Sequence, residues 1–126
     1  MEEWNKGKWV FKDVFGFGYP YILIHPYKQR ALKHLIDNKP DWTAHIIVFG
    51  SSVRVSHLWW KDFDVCLIGS DGFSSAYEMQ KLKVKDVEYD FLLYRSLEEI
   101  LACKDKINDV RGDIFREGVL VYGRRY

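Results

Sequence analysis

The chain is 126 residues long, 48% hydrophobic and 17% aromatic, with a formal net charge of +1. That length suits one folded domain with a core of its own, and is too short for a catalytic domain beside a full substrate-binding domain; the composition is globular rather than disordered. A duplex- or tRNA-binding protein would carry a basic surplus, so no nucleic-acid partner is expected.

The opening Met1-Glu2-Glu3-Trp4-Asn5-Lys6 has no apolar core, and no later run approaches membrane-spanning length, so a cytoplasmic protein without membrane insertion is expected. Cys66 and Cys103 stand in apolar contexts far from any Cys/His cluster and read as buried free thiols. From Trp9 to Ile24 the chain is aromatic and punctuated by Gly16 and Gly18, which gives residues 1–25 the character of an added arm. This arm is either an extra edge strand or an apolar surface for a partner.

Pro26 suits the first turn of a helix whose apolar positions Ala31, Leu32, Leu35 and Ile36 recur at helical spacing, and Lys39-Pro40 ends it. Ile46-Ile47-Val48-Phe49 is an apolar strand that stops at Gly50-Ser51. Asp62-Phe63-Asp64-Val65-Cys66-Leu67-Ile68 is a second strand, with Asp62 and Asp64 on one face and Phe63, Val65 and Leu67 on the other. Two carboxylates held so close require protonation or a cation, and hard oxygen ligands suit Mg²⁺, which takes one or two protein carboxylates plus substrate phosphates.

The loop before Asp62 contains His57, read as an ordinary loop residue, and Trp59-Trp60, which either pack on their own fold or a partner or stack on a base. After the turn cluster Gly69-Ser70-Asp71-Gly72 come a weakly amphipathic segment over 74–83 and a third strand over 87–94, where Glu88 and Asp90 share a face. Ser96 and Glu99 have capping-box spacing; Ile107, Val110, Ile114 and Phe115 follow a helical pattern that ends at Gly118, and Val119-Leu120-Val121-Tyr122 is a last strand. Composition and periodicity alone give an α/β or α+β domain over 1–126.

The Gly-Ser half of the central stretch has what a phosphate needs: Gly50 for a sharp turn, the Ser51 and Ser52 hydroxyls, backbone N–H groups for an anion nest, and the Arg54 guanidinium. Gly50-Ser51, ten residues, then Asp62-x-Asp64, with Arg54 between, resembles the signature of the DNA polymerase β-like nucleotidyltransferases, above all the small minimal nucleotidyltransferases. The resemblance runs from about Ala44 onward and includes the ending Arg116-Glu117-Gly118-Val119-Leu120-Val121-Tyr122.

It implies a nucleotidyltransferase palm, a mixed sheet with helices mainly on one face. Asp62, Asp64 and Asp90 are then catalytic and metal-binding, with Gly50, Ser51 and Arg54 holding the nucleotide. Glu88 is the poorer third acid, because the family places its acid directly before the apolar end of the strand. The implied reaction moves a nucleoside monophosphate, AMP from ATP, with one or two Mg²⁺ ions, to a protein or small acceptor. The family's small members are often antitoxins encoded beside a helical HEPN-type toxin. Antibiotic-modifying relatives need helices this chain lacks. The alternative function is a non-catalytic nucleotide-binding subunit that acts by covering a helical partner. Oligomeric state stays open.

Overall fold

The computed structural model describes residues 26–53, 62–69 and 76–123. The aromatic segment 9–24, Arg54, His57 and the Trp59-Trp60 pair lie outside the described residues.

Helix α1 spans Pro26–Asn38. Its apolar positions Ala31, Leu32, Leu35 and Ile36 are all buried, as the helical spacing requires. Near its end the Lys39 ammonium donates to the Ile36 carbonyl at 3.1 Å, occupying an acceptor that the last turn leaves open. A turn closed by Thr43 N–H to the Pro40 carbonyl at 3.0 Å then delivers the chain into strand β1, His45–Phe49. The short 3-10 turn Gly50–Val53 follows directly.

Strand β2 is Asp62–Ile68, helix α2 Ala76–Gln80, strand β3 Glu88–Tyr94, helix α3 Leu97–Leu101, helix α4 Val110–Glu117 and strand β4 Val119–Tyr122. The strands form one sheet in the order β3-β2-β1-β4. β1 runs antiparallel to β2 and β4, whereas β2 and β3 are parallel, so the sheet is mixed and the fold is α+β. A parallel pair needs a crossover, and the segment carrying α2 provides it.

The core gathers on the two central strands. Ile46, Ile47, Val48, Phe63, Val65, Cys66 and Leu67 have no exposed surface, so both faces of β1 and β2 are covered toward their middles. Phe63 and Tyr89 meet across β2 and β3 at 5.5 Å between ring centroids on the face opposite the aspartates, and Tyr89 stacks on Phe91 of its own strand at 5.3 Å. Cys66 and Cys103 are buried free thiols; burial, then the nearby Glu99 charge, pushes the Cys66 thiol up, so it is an inert core residue.

The capping arrangement at Ser96 is present, with the Glu99 carboxylate accepting the Ser96 N–H at 3.4 Å and the Arg95 N–H at 2.6 Å. The pattern over 107–115 is corrected at its start. Ile107 is 82% exposed and stands outside the helix, which begins at Val110 because Asp109 is its N-cap, accepting from Arg111 N–H at 2.9 Å. Local capping chemistry set that boundary against the apolar spacing. Gly118 ends α4 where a side chain would strike the Ile114 carbonyl and the Ile47 side chain, so the chain turns straight into β4.

Candidate functional site

The antiparallel register puts Phe49, the last residue of β1, opposite Asp64, so the turn beginning at Gly50 lies directly beside the aspartate strand. The parallel register pairs Asp62 with Glu88 and Asp64 with Asp90. Registered partners on neighbouring strands point to the same face. Four carboxylates, two per strand, therefore line one end of one sheet face, while Cys66 and Ile68 farther along that face are buried. Asp62, Glu88 and Asp90 are exposed and Asp64 is half-buried. The structure thus brings the three candidate aspartates together, and gives Glu88 a place beside them that its distance from the apolar end of β3 did not suggest.

Gly50 has φ +65°, in the left-handed region that favours glycine, and a Cβ there would stand 2.6 Å from Asp64 Oδ2. The missing side chain is the space that the Asp64 carboxylate uses. Gly50's own N–H is engaged within the fold, donating to Glu117 Oε1 at 3.1 Å. Gly50 serves the site by shape. Glu117, at the end of α4, pins the turn from the other end of the chain.

The expectation for Ser52 is corrected. Its buried hydroxyl donates to the Asp62 carbonyl at 3.1 Å and accepts the Asp64 N–H at 3.0 Å, so it clamps the backbone between the two aspartates instead of facing a phosphate. Ser52→Ala is expected to leave that N–H and carbonyl without their partner, destabilising the fold by about 1–3 kcal/mol. Urea denaturation with an unchanged midpoint would refute the clamp. Ser51 lies in the same turn, and Arg54 lies outside the described residues.

A residue not anticipated from the sequence is Lys28, in the first turn of α1. It has no exposed surface, and its Nζ has no hydrogen-bond partner among the described residues. Burial pulls its pKa below the ordinary lysine value, and the carboxylates of Asp64, then Asp62, pull the other way. The signal was in the sequence: Lys28, Ala31, Leu32, Leu35 and Ile36 form one stripe at helical spacing, with a lysine at its head.

Among the described residues no three acidic, histidine or cysteine side chains form a ready-made metal cage. The donor set still fits Mg²⁺, which is held by one or two carboxylates together with substrate phosphates, and Asp62 and Asp64 supply that pair. Among the described residues no helix is long and apolar enough to cross a membrane.

No family model and no curated protein matches the chain. Solved structures do. A chain of a toxin–antitoxin complex with AMP-PNP superposes with a TM-score of 0.51 at 19% identity, covering 78% of this chain and 74% of that one. The toxin–antitoxin MntA-HepT aligns at TM-score 0.48 and 16% identity, over 79% of this chain and 74% of that one. The complex of tri-AMPylated Shewanella oneidensis HEPN toxin with MNT antitoxin aligns at TM-score 0.46 and 18% identity, over 77% and 70%. The likeness to the AMP-PNP complex is one of fold: the mixed four-stranded sheet with its helices is an architecture that a toxin–antitoxin protein also has.

Proposed function

We propose that this chain is a minimal nucleotidyltransferase that moves AMP from ATP to a hydroxyl of a protein partner, a helical HEPN-type toxin for which it serves as antitoxin. The observation that carries the reading is the register that sets Asp64 between the Gly50 turn on one side and Asp90 on the other, in a chain whose Gly50-Ser51…Asp62-x-Asp64 spacing resembles that family. The shared fold with a toxin–antitoxin complex that holds AMP-PNP, an ATP analogue, supports both the nucleotide and the type of partner.

In the reaction an acceptor oxygen bonds to the α-phosphorus in line with the bridging oxygen, that P–O bond breaks, and pyrophosphate leaves. Mg²⁺, when bound, neutralises the phosphates and orients them for displacement. Asp62 and Asp64 hold the metal; Ser52 fixes the backbone from which both project. Gly50 keeps the Asp64 carboxylate in place by leaving it room, and Glu117 holds the turn. Ser51 and Arg54 take phosphate oxygens. Asp90, exposed on edge strand β3, would take the acceptor's proton or share in holding the metal.

The test is incubation of the chain and Mg²⁺ with ATP labelled at the α-phosphate, in a lysate of the cells it comes from. A single labelled protein is expected, and none with the Asp62→Asn/Asp64→Asn double variant. Label carried equally by the double variant would refute the assignment of these aspartates; no label in any molecule would refute the transferase.

A further inference from the structure

Three costs attend the lysine at position 28. A charged side chain without exposed surface gives up its hydration, and this ammonium recovers no hydrogen bond from the described residues in exchange. It cannot reach out to water along its aliphatic stem, as partly exposed lysines do. It also stands in the first turn of a 13-residue helix, whose N-terminal dipole disfavours positive charge, and that turn has no acidic residue to offset it. Leucine or methionine would continue the buried stripe of Ala31, Leu32, Leu35 and Ile36 without any of these costs. Among the described residues the packing gives no reason for a lysine there.

The site does. The carboxylates acting on Lys28 are Asp64 and Asp62, and Glu88 and Asp90 stand in register beside them. A polyanionic ligand entering such a cluster meets repulsion unless positive charge already stands among the carboxylates. Lysine binds phosphate as a compact point charge with three donors, and here none of the three is engaged by a described residue.

We propose that Lys28 is a phosphate-binding residue of this site, a buried ammonium that balances Asp64 and Asp62 and offers its unused donors to the phosphates of an incoming nucleotide. The assignment rests on the proposed function for the identity of that ligand. It also gives Lys28 two effects of opposite sign. Its charge competes with a divalent cation for the aspartates, yet it helps the nucleotide.

The experiment compares the native chain with Lys28→Met and Lys28→Gln by calorimetric titration, first with Mn²⁺ alone and then with AMP-PNP in saturating Mn²⁺, alongside thermal melts without metal. Lys28→Met is expected to melt no lower than the native chain. It should bind Mn²⁺ alone more tightly, by about threefold or more, because a competing charge is gone. It should bind AMP-PNP about tenfold or more weakly, the scale of one charge-assisted hydrogen bond. Lys28→Gln should lose nucleotide affinity likewise. A folded Lys28→Met that binds AMP-PNP as well as the native chain overturns the proposal. So does a variant that fails to fold, or one that loses Mn²⁺ and AMP-PNP together, since either makes the lysine structural. A native chain that binds no AMP-PNP defeats the proposed function itself, an outcome separate from native binding that Lys28→Met leaves intact.

Discussion

Gly50→Ala is expected to cut nucleotide transfer by about 10²-fold or more while leaving the sheet folded, because the substitution acts on a carboxylate rather than on the core. A methyl group at this position would lie 2.6 Å from Asp64 Oδ2 and 3.2 Å from Asp64 Cγ, closer than carbon and oxygen pack. The Asp64 side chain can swing away, which keeps the loss of stability near the roughly 1 kcal/mol of a non-glycine residue at positive φ. The swing is what destroys activity. A displacement on the order of 1 Å in a carboxylate proposed to hold the metal against the reacting phosphate is enough for a loss of that size. Melting curves and label transfer measured on the same preparation check both halves. Native transfer rates in Gly50→Ala would mean that the Asp64 carboxylate is not used where the structure puts it.

Asp90→Asn separates a transferase from a protein that only binds nucleotide and covers a partner. Asp90 is exposed on edge strand β3, and asparagine is nearly isosteric, so stability should stay within about 0.5 kcal/mol of native. Asp62 and Asp64 remain to hold the metal, and much of the nucleotide affinity should remain with them. Transfer should nonetheless fall by a factor on the order of 10² or more, the contribution of a positioned base. Transfer that survives in Asp90→Asn would shift the role to Glu88, its neighbour two residues back on the same face, and Glu88→Gln then becomes the decisive variant. A native chain that binds a partner tightly but labels nothing would establish the binding-only alternative instead.

The elements that sequence reading located well are those written in local periodicity. Alternation from Asp62 to Ile68 defined β2 to the residue, and it oriented both aspartates away from Phe63, Val65 and Leu67. The apolar stripe of α1 and the proline after its end bounded that helix equally well. What escaped is long-range. Nothing near Glu117 in the chain says that its carboxylate accepts the Gly50 N–H, since the partners are 67 residues apart. Ser52 looked like a phosphate ligand because a serine after a glycine turn is one of the few local signs of such a site. Its hydroxyl turned out to face the start of β2, a contact set only when β1 and β2 pair. The place of Lys28 on the apolar stripe of α1 is legible in the sequence, but the company it keeps with Asp64 and Asp62 is set only by the fold. Ile107 failed for the converse reason, as an apolar residue at helical spacing that the Asp109 cap leaves outside the helix.

The bond from Gly50 to Glu117 also bears on how the protein is made. On a ribosome the chain emerges from its N-terminus, and α1, β1 and β2 have left the exit tunnel well before residue 117 is polymerised. Until then the turn after β1 lacks the carboxylate that pins it, and the central strand β1 lacks β4 along one whole edge. A nascent chain from which only β1 and β2 have emerged would present Asp62 and Asp64 on a strand pair still open on that side. The turn after β1 and the β1 edge are therefore completed only once residues 110–122 have been made.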